Sequence, residues 1–177
     1  MRNRALLVMN LQRDYIGQDA RMPVDSGQMP GLLEHVNSLV DDFAQEGSDI
    51  LYIMNEFSPY DIIGNAFRQQ AAVAGSPGAE LDARVRIASG LRFAKRQGDA
   101  FSNPALAGYL AASGVSELVI AGVFAEGCVA RTATAALRLG FLVTIPRRAV
   151  GGRNERQRDR AMKKLRRIGV AVSDQLA

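Results

Sequence analysis

The chain has 177 residues, which at about 100–200 residues per domain sets the expectation of one domain spanning 1–177. Hydrophobic residues make up 47% and charged residues 23% at a net charge of +4, a balance that excludes disordered and fibrous classes. A single cysteine excludes an intrachain disulfide or thiolate cluster, and with one histidine a His/Cys zinc site lacks ligands, so the expected setting is a reducing cytoplasm with no metal and no cofactor.

In chain order, the first element is the apolar run Ala5–Met9, a strand covered on both faces and too short for the apolar region of a signal peptide. No apolar run approaches the roughly 18 residues of a membrane span. A loop rich in Gly, Asp and Pro leads to Pro30, placed where a first helical turn tolerates proline. Leu32, Leu33, Val36, Leu39, Val40 and Phe43 then mark one helical face, which Gly47 ends. Ile50–Met54 reads as a second buried strand. From Glu56 to Val85 the pattern is irregular and its length suggests a functional loop, with a short helix expected near Ala66–Ala74.

Leu91–Ala94 is a short strand, followed by Lys95 and a polar turn. Asn103-Pro104 is a cap with proline behind it, opening a helix to about Ser113. Glu117–Ala121 is a strand, Gly122–Gly127 a turn, and Cys128–Leu139 a helix closed by Gly140. Phe141–Ile145 is another strand. Residues 147–167 then hold ten Lys or Arg against Glu155 and Asp159, a local balance of +8 that leaves −4 for the remainder. Ala161, Leu165 and Ile168 recur at helical spacing through that stretch, so it reads as an amphipathic helix with a solvated basic face. An anionic ligand or partner is the other reading. Nucleic acid is disfavoured as a partner, because no aromatic residue interleaves with the charges. Val170–Val172 closes the series. Strands alternate with helices about five times, which implies an α/β fold: a three-layer, open, mostly parallel sheet with helices on both faces.

Ligands of such sheets lie beyond the carboxyl ends of the strands, so Asn10, Asn55, Glu56, Lys95, the turn Gly122–Cys128 and Arg147 are the positions to inspect. Cys128 falls at a predicted helix start, where the helix dipole and unpaired amides favour a thiolate. Lys95 at another strand end would add positive charge, and amides of the turn could hold an oxyanion, an arrangement suited to acyl transfer. The competing reading of a lone cysteine is a small core residue, and that of Lys95 is a solvated strand-end lysine.

The segment LVIAGVFAEGCVARTATAALRLGF resembles the nucleophile segment of the isochorismatase-like cysteine hydrolases, which include nicotinamidases and N-carbamoylsarcosine amidases. ALLVMNLQRDY is similar to that family's opening strand and KRQGDAF to its lysine segment, and together the likeness covers about residues 4–172. The resemblance implies Cys128 as nucleophile and Lys95 as the cation beside it. It also implies an oxyanion hole from the amides of Phe124 and Cys128, a cis peptide at Val123–Phe124, and a homo-oligomer. The family's catalytic aspartate falls on Asn10, whose amide cannot accept and return a proton at neutral pH. Three readings stay open: an introduced change, a natural one with Glu56 or Asp99 assisting, or loss of hydrolysis.

Ether cleavage in this family depends on that acid and not on the cysteine, so the resemblance points to small amides or esters. Where nicotinamidases carry a metal-binding Asp/His set, this chain has Asn55-Glu56-Phe57-Ser58; the sole histidine, His35, reads as structural. Tyr15, Phe57, Phe101 and Phe124 are the expected walls of a small apolar pocket, or else ordinary core, with Phe124 and Ala125 narrowing it. The expected activity is cleavage of an amide C–N bond through a Cys128 thioester. The alternative is a silent relative that binds a small molecule or serves as an oligomeric partner.

Overall fold

The computed structural model describes residues 3–174. The first apolar run forms β1 (Arg4–Met9), buried at every position after Arg4. Leu6 and Val8 point into one apolar cluster, while Leu7 and Met9 point into another on the opposite face. The single turn α1 (Arg13–Ile16) follows, then α2 (Met29–Gln45), which has Pro30 in its first turn. α2 lays Leu32, Val36, Leu39, Val40 and Phe43 on the Leu6/Val8 face. β2 (Asp49–Asn55) pairs parallel with β1; beyond the short α3 (Ile62–Phe67), β3 (Arg92–Lys95) pairs parallel with β2.

The chain then crosses the sheet. α4 (Pro104–Ala112), capped by the Asn103 side chain on the Ala105 amide, leads to β4 (Glu117–Val123) on the other side of β1. α5 (Ala130–Arg138), β5 (Leu142–Pro146), the two-residue β6 (Val150–Gly151), α6 (Glu155–Arg167) and β7 (Ala171–Ser173) complete the fold. The order is β3-β2-β1-β4-β5-β7 with β6 against β4, and every strand pairing is parallel. α4, α5 and α6 contribute Leu106, Leu110, Ala133, Ala136, Met162 and Leu165 to the face opposite α2. The three-layer parallel sheet implied by the alternation is therefore the fold. No helix among the described residues is long and apolar enough to cross a membrane.

Several boundaries differ from the sequence reading; β2 and β4 run longer than expected and β5 is shifted by one residue, to Leu142–Pro146. The short helix expected near 66–74 lies at Ile62–Phe67, because the Asp61 carboxylate caps the Gly64 amide, and positive φ at Gln69, Gln70 and Ala72 bars continuation. β3 begins one residue late and so includes Lys95, which pairs with Asn55. The helix expected from Cys128 becomes regular only at Ala130. Before it, Ala125–Val129 form a wider turn broken at Gly127, with φ −116° and ψ −110°. β7 likewise starts one residue late, at Ala171.

Candidate functional site

β1 lies between β2 and β4, which the chain reaches by separate crossovers on opposite sides of it, so the sheet has its switch point at the carboxyl ends of β1 and β4. Backbone approach there is tight. Gly122 has φ +114°, and a Cβ on it would lie 2.1 Å from the Met9 carbonyl oxygen; only glycine fits. Asn10 follows β1 with φ +53°, a conformation Asn tolerates better than most residues, and is 1% exposed. Its Nδ2 donates to the Val123 carbonyl at 2.9 Å, while its Oδ1 is buried with no hydrogen-bond partner. The next peptide, Val123–Phe124, is cis.

Cys128 is partly buried in the turn before α5. Lys95 Nζ donates to its Sγ at 3.3 Å. Lys95 is 3% exposed, and its other two contacts are the Gln97 carbonyl at 3.0 Å and Asn55 Oδ1. All three ammonium protons thus have acceptors. Burial lowers the Lys95 pKa from its ordinary value; the Cys128 sulfur and Asp99 oppose that shift, and Arg131 adds to it.

Asn55 holds this pair in place. Its Nδ2 donates to the Tyr15 hydroxyl at 2.9 Å, and its backbone N–H donates to Gln12 Oε1 at 2.8 Å. Gln12 Nε2 in turn donates to the carbonyls of Asn55 and Ala79, each at 2.7 Å. The side chains of Asn55 and Gln12 are therefore locked by partners on three segments. Burial raises the Tyr15 pKa, so the phenol stays protonated and, as an acceptor from Asn55, keeps its O–H to donate.

Cys128 opens onto a cleft of about 1060 Å³ walled by Tyr15, Phe57 and Phe124. Tyr15 and Phe124 meet edge to face at 5.5 Å, and the Arg68 guanidinium lies 3.9 Å above the Phe57 ring. Phe101, expected as a fourth wall, is elsewhere. Thr132 Oγ1 accepts from the Ala100 amide at 2.9 Å and draws that turn against α5, where Phe101 stacks on Phe141 at 5.9 Å. The assisting acids considered from sequence are also absent from the cleft wall. Glu56 lines a separate cavity of about 490 Å³, and Asp99 caps the Phe101 amide. Among the described residues the cleft wall has one carboxylate, Glu126, whose Oε1 accepts from the Arg153 amide.

Sequence reasoning marked Asn55 as a strand-end position without giving it a role, and it passed over Gln12 and Gln97. The signal for Gln12 was its place in the opening segment, two residues beyond Asn10. The basic stretch is more than an outer face, because Arg160 and Lys164, both exposed, line the cleft.

A model of the isochorismatase domain matches residues 4–175. A probable inactive nicotinamidase of Arabidopsis thaliana is 29% identical over 150 residues, 79% of this chain and 76% of that protein. A streptothricin hydrolase of Streptomyces noursei is 28% identical over 145 residues, and the chain spans 47% of that protein's length. The pyrazinamidase of Pyrococcus horikoshii, solved in complex with zinc, superposes with a TM-score of 0.86 at 26% identity over 98% of this chain and 99% of that one.

The residues of this chain do not fit a resident metal at the corresponding strand end. Asn55 Oδ1 accepts from the Lys95 ammonium and Nδ2 donates to Tyr15, which leaves no carboxylate or imidazole ligand there. Glu56 faces the other cavity, and His35 Nδ1 lies 2.6 Å from the Gly31 carbonyl within α2. No group of three His, Cys, Asp or Glu with metal-binding geometry occurs among the described residues.

Proposed function

Because the chain belongs to the isochorismatase domain family, we propose that it is a cysteine hydrolase that cleaves the C–N bond of a small amide through a thioester on Cys128. The observation that carries this reading is the Lys95–Cys128 contact at 3.3 Å beside an open, aromatic-walled cleft. Sγ attacks the amide carbonyl carbon, and the Lys95 ammonium stabilises the negative charge on sulfur before the attack. The oxyanion of the tetrahedral intermediate is held by the amides of Phe124 and Cys128, each worth about 3–4 kcal/mol where such donors have been removed. The C–N bond then breaks, the amine leaves with one added proton, and the acyl group stays on Sγ. Water attacks the thioester, releasing a carboxylic acid and returning one proton to the sulfur–lysine pair.

Lys95 is the group placed to move those protons. It touches Sγ, and burial lowers its pKa, so it gives up a proton more readily than a surface lysine. Asn10 positions rather than transfers. Its Nδ2 fixes the Val123 carbonyl and hence the entry to the Phe124 amide, while its unpartnered Oδ1 is buried and Asn10 is not among the residues that wall the cleft. With an amide where relatives have a carboxylate, hydrolysis of the thioester becomes the slow step. The test is intact mass during incubation with a panel of aryl and alkyl amides, run on the wild-type chain and on Asn10→Asp. An acyl adduct on Cys128 in the wild type with faster product release in Asn10→Asp supports the reading. No adduct and no product from either protein overturns it.

Asn10 also favours a second reading, a silent member that binds a small molecule in the same cleft. The similarity to a plant protein named as a probable inactive nicotinamidase is in keeping with it. The unsubstituted protein separates the two: an acyl adduct on Cys128 belongs to the first reading, whereas turnover that appears only in Asn10→Asp belongs to the second.

A further inference from the structure

The cleft wall is strongly one-signed. Arg96, Arg131, Arg153, Arg160 and Lys164 line it, and none of them takes part in an ion pair among the described residues. The sixth cation, Arg68, is already neutralised by Asp61. Elsewhere pairing is commoner: Arg4, Arg13, Arg21, Arg84, Arg86, Arg147, Arg158 and Arg166 each have an acidic partner, whereas Arg92, Arg138, Arg148, Arg156 and Arg167 have none within ion-pair distance among the described residues. Arg160 and Lys164 stand four apart on α6, so they are neighbours of like charge, an arrangement that weakens a helix. Arg131 sets the inner end of the array: its side chain passes over Gly98, where a Cβ would lie 2.6 Å from Arg131 Cδ. Gly98 adjoins Gln97, whose carbonyl holds the Lys95 ammonium. Arg153 lies 5.9 Å from the centre of the Phe124 ring, so cationic and aromatic walls meet.

We propose that the cleft selects amides carrying a remote anionic group, held by Arg131, Arg160 and Lys164, with an aromatic body between that group and the scissile carbonyl. The inference rests on the hydrolase reading for the identity of the scissile bond and on the cleft alone for the anion. A cationic cleft with low-dielectric walls concentrates anions and raises their association, and guanidinium forks suit carboxylate and phosphate equally. The bound anion relieves the mutual repulsion of the array, which a neutral ligand cannot do.

The test uses three probes that share one aryl amide: 4-carbamoylbenzoate, 4-carbamoylphenyl phosphate and the neutral terephthalamide. Binding is measured by calorimetry on the full chain with Cys128→Ser, so that no turnover intervenes, at 20 mM and 500 mM salt. At low salt at least one anionic probe is expected to bind ten times or more tighter than terephthalamide, and the tighter anion identifies the source. That advantage should shrink at high salt, where screening shortens to a few ångströms. It should also be lost in the triple variant Arg131→Gln, Arg160→Gln, Lys164→Gln; these side chains are exposed, and thermal unfolding checks that the variant stays folded. Equal affinities for all three probes, or a preference that ignores both salt and the triple substitution, overturns the inference. Turnover of the same probes by the Cys128 protein is scored separately. Anion preference with neither product nor a Cys128 adduct, in this protein or in Asn10→Asp, removes the hydrolase reading and leaves the cleft assignment, whereas hydrolysis of all three probes with equal affinities does the reverse.

Discussion

Asn55→Ala is the perturbation whose consequence follows most directly from the geometry. The side chain is 3% exposed, accepts from the buried Lys95 ammonium and donates to the Tyr15 hydroxyl at 2.9 Å. Truncation deletes a hydrogen bond to a charged group, worth about 1.5–3 kcal/mol, and a neutral one worth about 1 kcal/mol. Lys95 is left with two acceptors and no route to water, so the loss is expected at about 3–4 kcal/mol in urea unfolding. At about 2–4 °C per kcal/mol for a chain of this size, that is a fall of at least about 6 °C in Tm. Cys128 should report the same event, because Nζ is no longer held against Sγ; alkylation by iodoacetamide should slow several-fold. Asn55→Asp separates packing from charge. It keeps an acceptor for Lys95 and should recover part of the stability, yet it draws the ammonium toward a carboxylate and away from Sγ, so alkylation should stay slow. An Asn55→Ala protein within about 0.5 kcal/mol of wild type, the usual range of an inert surface change, would refute the claim that this residue secures the pair.

Gly122→Ala should cost about 3 kcal/mol or more in the same urea assay, since the new Cβ meets the Met9 carbonyl oxygen at 2.1 Å in a backbone conformation with φ +114°. Lys95 makes stability depend on alkaline pH in a definite sense. Its folded pKa is lowered, so between that value and the unfolded value of about 10.4 the unfolded chain binds more protons and stability rises with pH. Lys95→Met should flatten that rise in thermal melts taken from pH 8 to 10.5; an unchanged slope counts against the buried ammonium. Tyr15→Phe should leave the fold intact while slowing amide turnover and Cys128 acylation, because Asn55 Nδ2 loses its acceptor but the edge-to-face contact with Phe124 remains.

Much of the architecture was legible because its strands are buried on both faces. Runs such as those of β1 and β4 have no periodicity that a half-exposed strand or surface helix would show, and their alternation with amphipathic segments leaves few topologies. The caps at Asn103 and the proline start of α2 were equally readable, since the chemistry is local. β6 and α1 were not, because two residues or a single turn are too short to carry a pattern. At the site, Cys128, Lys95 and Asn10 were reached from strand ends and resemblance. Phe101 was misplaced because an aromatic near a strand end can face either way, and a contact between Ala100 and Thr132, 32 residues apart, decides it. Asn55 and Gln12 went unassigned for the same reason: their roles lie in hydrogen bonds across three segments, which no local spacing encodes. The basic helix showed its charge in sequence but not its direction. Only the packing of Ala161 and Leu165 turns Arg160 and Lys164 toward the cleft.

The proposed hydrolysis stands or falls on whether the sulfur beside Lys95 takes up an acyl group from an amide. Rapid-quench intact mass spectrometry on the wild-type chain, mixed with a carboxylate-bearing aryl amide, addresses it most directly. A mass gain equal to the acyl group is expected, mapped to Cys128, absent in Cys128→Ser and decaying faster in Asn10→Asp. A fully reacted amide with no adduct at any time, or equal turnover by Cys128→Ser, would contradict it.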